Sequence, residues 1–125
     1  MGDVGEAQVG QVTELHVYPV HGEPGEDLDE VRVDAEGLVG DRRKKAAVHV
    51  LASEDTHFGT RANVMVSMPS AELAGVVGGV LRLGEVELDV TTVPSGCPGV
   101  YAAVRRPGTL RLGDVVTSHG SDANA

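Results

Sequence analysis

Cysteine is almost absent from this chain: Cys97 is the only one in 125 residues. One thiol cannot form an internal disulfide, so the fold is not a cystine framework. Tryptophan is missing altogether, and aromatic content stops at one Phe and two Tyr. The core must therefore come from Val, Leu and Ala, which suits a small β-rich barrel or sandwich. No apolar run approaches the roughly 18 residues of a membrane span. The start, Met1-Gly2-Asp3-Val4-Gly5-Glu6, lacks the basic and apolar regions of a secretion signal. Together with the single cysteine this makes the cytoplasm the expected location. Cations are also scarce: ten Lys and Arg against nineteen Asp and Glu give a formal net charge of −9. Such a surface would repel a nucleic acid backbone, so no nucleic acid partner and no membrane partner are expected.

What is present reads as strand, turn, strand. The length fits one domain, with residues 1–10 expected as a flexible arm, 11–117 as the barrel and 118–125 as a disordered tail. Val12 to Val20 mixes β-branched and aromatic residues and reads as a strand ending near Pro19. His21 to Asp29 is an acidic loop. Val31 and Val33 alternate with charged residues, as in a half-buried strand, and Gly37 to Asp41 is a turn. Ala46 to Leu51 is an apolar strand carrying His49. Asn63 to Met68 is a short strand, and Pro69-Ser70 opens a helical turn. Val80 to Val90 forms two arms about a glycine. Leu-Arg-Leu-Gly-Glu-Val (81–86) recurs as Leu-Arg-Leu-Gly-Asp-Val (110–115), which reads as two equivalent β-turns. The fold class is mostly β, a small barrel with one or two short helical segments.

Cys97 lies in Pro94-Ser95-Gly96-Cys97-Pro98-Gly99, a proline-glycine turn between strands, not inside an apolar element. There a sulfur can face a ligand, and Arg105 and Arg106 downstream would favour the thiolate, the form that attacks or ligates a soft metal. The bland reading is an unreactive, half-buried turn cysteine. Arg42 to Lys45 concentrates four of the ten cations; alternation lets only half of them line one pocket. Arg42, directly after the Gly-Asp turn, is the better candidate for gripping a phosphate. Otherwise the run is a solvated edge. Arg61 and Asn63 would share a strand face and hold a carboxylate, a phosphate or a pterin edge. Alternatively, Arg61 pairs with a surface carboxylate. His16, His21, His49, His57 and His119 show no zinc-like spacing.

Five landmarks occur in order: Leu-His-Val-Tyr-Pro-Val (15–20), Gly-Leu-Val-Gly-Asp-Arg-Arg (37–43), Arg61-Ala62-Asn63-Val64, Cys97, and Leu-Gly-Asp-Val (112–115). In this the chain resembles a MOSC domain, the C-terminal domain of molybdenum cofactor sulfurases, over about residues 11–117. The resemblance implies a β-barrel of the MOSC type that binds the molybdenum cofactor (molybdopterin) or carries sulfur on its cysteine. Cys97 would match the molybdenum ligand or persulfide carrier, with a place in sulfur transfer or molybdenum-dependent chemistry. The basic residues near Arg42 and Arg61 would match the grip on the pterin's phosphate, which makes Arg42, Arg43, Arg61, Asn63 and His21 the candidate cofactor-binding residues. His21 and Gly22 stand where family members often have Lys and Ser, and the Pro-Cys-x-Arg-Cys form of many members is absent. A domain this small would work with a separate partner: a sulfur donor or acceptor protein, or a molybdoenzyme. The alternative is an interaction module that kept the barrel and lost the cofactor.

Overall fold

The computed structural model describes residues 7–20, 22–42, 46–58, 61–95 and 98–119. Eleven strands and two short helices follow one another. They are β1 (Ala7–Val17), β2 (Glu26–Leu28), β3 (Glu30–Asp34), β4 (Gly37–Leu38), β5 (Val48–Ala52), a 3-10 helix (Ser53–Phe58), β6 (Val64–Val66), α1 (Ser70–Ala74), β7 (Val80–Leu83), β8 (Val86–Thr92), β9 (Val100–Arg106), β10 (Gly108–Arg111) and β11 (Val115–His119). Seven strands close on themselves in the order β1, β11, β7, β8, β9, β5, β6, because β1 pairs with β6 on one side and with β11 on the other. The mostly-β barrel expected from composition is what forms. The short β2 adds to β1, and β10, β3 and β4 make a separate three-stranded sheet. No helix among the described residues is long and apolar enough to cross a membrane.

Alternation explains which residues fill the barrel. Val31 and Val33 on β3, Leu81 and Leu83 on β7, and Val86, Leu88 and Val90 on β8 all join one core cluster, as a period of two dictates when one sheet face is covered. β5 differs, being buried along its whole length. Val48, Val50 and Ala52 enter the main core, while Leu51 packs on the other side with Ala62 and Met65. β5 and β6 run parallel, so the chain must cross over between them. The 3-10 helix lies in that crossover.

Strand pairing runs further toward both termini than the sequence pattern suggested: Ala7 pairs with Ser118 and Gln8 with Thr117. The polar, glycine-containing segment has little alternation of its own; its partner β11 supplies the order. Within the acidic loop, Glu26 to Leu28 is held as a strand against Leu15 to Val17.

The two Leu-Arg-Leu-Gly-acid-Val copies are not equivalent, contrary to the reading from sequence. The first is a hairpin, β7 to β8. The second carries the chain from the three-stranded sheet into the barrel, since β10 pairs with β3 and β11 with β7. The two copies meet. Gly84 N–H donates to the Val115 carbonyl at 3.0 Å, and Glu85 Oε2 accepts the Thr109 N–H at 2.7 Å. Asp114 Oδ2 accepts the Arg111 N–H at 2.8 Å and lies 2.6 Å from where a Cβ on Gly84 would stand. The same local sequence thus serves two roles because its partners differ.

Candidate functional site: an arginine-tyrosine platform linked to the cysteine turn

Tyr18 is the hub of the first half of the site. It follows β1, and its N–H donates to Asp41 Oδ1 at 2.8 Å. Its carbonyl accepts the Arg42 N–H at 3.1 Å, so the Gly-Asp-Arg turn is fixed to the end of β1. The phenol donates to the Ala62 carbonyl at 3.4 Å. One side of the ring lies against Gly25, where a Cβ would collide with it. The Arg61 guanidinium sits 5.1 Å from the ring centroid, within range of a cation–π contact, and donates from Nη1 to the Glu23 carbonyl at 3.1 Å.

Arg42 and Arg61 are both exposed. Arg82, Arg105, Arg106 and Arg111 each pair with a carboxylate. Among the described residues no such ion pair engages Arg32, Arg42 or Arg61, and of these three Arg61 meets Tyr18 through its guanidinium and Arg42 through its backbone N–H. A guanidinium positioned by a ring and a carbonyl keeps further N–H donors for an anion. Pairing of Arg61 with a surface carboxylate, the bland alternative, is not what the described residues show.

The second half begins at Asn63. Its exposure is 1%, whereas Arg61 is exposed. The two therefore do not share a face, because β6 starts only at Val64 and residues 61–63 lack strand alternation. Asn63 Oδ1 accepts the His49 N–H at 3.0 Å and its Nδ2 donates to the His16 carbonyl at 3.4 Å. Its backbone N–H donates to the His49 carbonyl at 2.9 Å, and its carbonyl accepts the His16 N–H at 2.8 Å. The amide is thus engaged with the backbone of β1 and β5.

His49 carries the chain of contacts to the cysteine turn. Its side chain lies on the outer side of β5, 9% of the residue is exposed, and its ring meets Tyr101 edge-on at 5.2 Å. Nε2 is 3.0 Å from the Pro98 carbonyl oxygen. A carbonyl only accepts, so Nε2 is the protonated nitrogen of this contact. Gly99, next in the chain, has φ +95°, and a Cβ there would lie 2.5 Å from the Val50 carbonyl oxygen and 2.8 Å from His49 Nε2.

Of the sequence-predicted residues, Arg42 and Arg61 are brought together through Tyr18, and Asn63 is linked to them through Ala62. Cys97, His21 and Arg43 lie outside the described residues. Arg105 and Arg106 were expected to favour the thiolate of Cys97, which lies outside the described residues. They stand at the far end of β9, roughly 17 Å along the strand from Val100, with Glu87 and Asp89 as partners. Tyr18 and His49 were given no role from sequence. A histidine inside Ala-Ala-Val-His-Val-Leu-Ala was a usable signal, since a buried ring nitrogen requires a partner. Among the described residues no group of three or more His, Cys, Asp or Glu could hold a metal ion.

Burial raises the Tyr18 phenol above its ordinary value near 10, with Asp41, Asp27 and Glu14 adding to the rise and Arg61 opposing it. The fold therefore holds this proton more tightly than the unfolded chain does. Tyr18's contribution to stability is whole below pH about 10 and is lost as pH rises through the folded-state value. In a Tyr101→Phe background, an absorbance titration should place Tyr18 above the free phenol, and Arg61→Ala should raise it further. A downward shift in the Arg61 variant would show that the guanidinium is not over the ring in solution.

Fold and site together define a closed seven-stranded β-barrel with an exposed arginine over a tyrosine ring and a second exposed arginine held to that tyrosine through its backbone. No family model and no curated protein matches the chain. Solved structures do. The YuaD protein from Bacillus subtilis superposes with a TM-score of 0.73 at 15% identity, covering 92% of this chain and 97% of that one. A hypothetical protein gives a TM-score of 0.68 at 14% identity, covering 89% of this chain and 68% of its own. YiiM from Escherichia coli gives 0.65 at 16%, covering 87% and 68%. At these identities the likeness shows a shared fold and nothing about ligands.

Proposed function

We propose that this barrel binds the molybdenum cofactor, or carries sulfur on Cys97 for it, in the manner of a MOSC domain working with a separate partner enzyme. One observation supports the reading above the rest. Three landmarks far apart in sequence, and Pro98 beside a fourth, are joined by hydrogen bonds and ring contacts: Tyr18 with Asp41, Arg42, Arg61 and Ala62, then Asn63 with His49 and His49 with Pro98. Residues used only for packing have no reason to converge in this way.

The chemistry of the described donors fits the phosphate end of a phosphorylated pterin. Arg42 and Arg61 would hold that phosphate bidentately, with the Tyr18 ring placing the Arg61 guanidinium and the Tyr18 carbonyl fixing the Arg42 backbone. Cys97 would meet the metal or sulfur end, where the cofactor supplies its redox and sulfur chemistry. Asn63 acts one step back by fixing His49 and β1. Of the two readings, cofactor binding gains more from the open arginines than sulfur carriage alone does.

Equilibrium titration with the isolated cofactor tests this. Arg61→Ala should weaken binding by about 1.5–3 kcal/mol, the worth of a charged hydrogen bond, or roughly 10- to 150-fold. Cys97→Ala should abolish metal ligation or persulfide formation and leave the phosphate grip largely intact. No binding by wild type or either variant would leave the interaction-module reading in its place.

A further inference from the structure

Resting on that reading for its role, we propose that His16 is a proton-operated clasp: its imidazolium ties β2 to β1, seats the loop that packs on Tyr18 and Arg61, and lets go as the ring loses its proton. Both ring nitrogens face a carboxylate. Nε2 lies 2.8 Å from Glu14 Oε1 on the same strand. Nδ1 lies 2.7 Å from Oδ1 of Asp27, the residue directly opposite on β2. An ionised carboxylate only accepts, so both contacts need an N–H, and only the protonated ring carries two. The neutral ring has one N–H for two acceptors, and its lone pair then faces the other carboxylate. Glu14, Asp27 and Asp29 line one cavity with the ring. The Tyr18 ring lies 6.4 Å away, and Arg61 and Asp41 reach that tyrosine. The consequence for the site runs through β2, a three-residue edge strand with little ladder of its own to hold it. Just before it, Gly25 lies against the Tyr18 ring and the Glu23 carbonyl accepts from Arg61 Nη1. Freeing β2 therefore loosens the brace on the guanidinium that would meet the phosphate.

Amide hydrogen exchange of the whole chain, read by NMR at about pH 5.5 and about pH 8, spans the interval in which imidazoles change charge and tests the clasp. Observed rates are divided into the intrinsic rates at each pH, so that protection alone is compared. Protection of residues 26–28 should fall about fivefold from the lower to the higher pH, the upper worth of an ion pair with an exposed partner. The Arg61 side-chain Nε–H signal should move over the same interval. His16→Gln, which cannot change charge, should remove the step. Glu14→Gln is the sharper variant. Its amide can donate to the bare ring nitrogen, which leaves the single N–H of the neutral ring for Asp27, so protection should stay at its low-pH level throughout. Equal protection at both pH values in wild type overturns the proposal. So does a step that persists in either variant, or an Arg61 signal that does not follow it. If His16→Gln does not fold, Glu14→Gln, changed at an exposed carboxylate, still decides. No cofactor enters the measurement, so the clasp can fail or hold whether or not a pterin binds.

Discussion

Asn63→Ala is expected to destabilise the barrel by about 2–4 kcal/mol, since it orphans buried polar groups and opens a cavity at once. The His49 N–H loses its acceptor and the His16 carbonyl loses a donor, in a place where water has almost no access. For a domain of this size the melting temperature should drop by roughly 6–16 °C. Asn63→Asp separates the two roles. It keeps an acceptor for His49 but cannot donate to His16 and brings a charge into a buried site, so it should also destabilise. A melting point within a degree or two of wild type for Asn63→Ala would mean that the amide is not the clamp between β1 and β5. Cofactor affinity should fall with stability in this variant, unlike in Arg61→Ala, where stability should hardly change.

The second large effect is expected at Gly99. Alanine there must adopt a left-handed backbone, at about 1–2 kcal/mol, and its methyl would meet the Val50 backbone oxygen at 2.5 Å. A backbone carbonyl within β5 cannot turn aside as a side chain can. We expect a total loss of about 2–4 kcal/mol and a change in Cys97 labelling, because the relief of the clash must move residues 98–99. Denaturant unfolding measures the first and native alkylation the second. An unchanged midpoint together with unchanged labelling would mean that the turn does not pack on His49 and Val50.

Much of the barrel was legible in the sequence, and the reason is alternation. Val31 and Val33, or Val86, Leu88 and Val90, sit at period two because one sheet face meets the core, and that pattern is local. β5 could be read as a strand, but its faces could not be told apart, since both are buried. The repeated Leu-Arg-Leu-Gly-acid-Val shows the limit of local reading. Identical chemistry makes a hairpin at Gly84 and a passage between sheets at Gly113, decided by pairing with β3 and β11 that no window contains.

The site was legible in its cations and not in its supports. Arg42 and Arg61 stand out as basic residues beside turns in an acidic chain. Tyr18 and His49 take their roles from partners such as Asp41 and Pro98, 23 and 49 residues away in sequence, which propensity does not encode. The pairing of Arg61 with Asn63 on one face failed because strand periodicity was applied to residues that precede the strand. Arg105 and Arg106 show a related limit. Closeness in sequence becomes distance once the chain is extended, and those charges are taken up by Glu87 and Asp89.

Under the proposed function, Arg42 and Arg61 would hold the phosphate of a molybdenum-bearing pterin whose other end meets Cys97. The most direct measurement is the molybdenum and pterin content per chain of protein purified from cells competent in cofactor synthesis, with an Arg42→Ala/Arg61→Ala double variant purified alongside. Both components are expected in stoichiometric proportion in wild type and should be lost from the double variant, which should keep the β-sheet circular dichroism of the parent. Folded wild type that carries neither molybdenum nor pterin, or a double variant that carries as much as wild type, would contradict the proposed function.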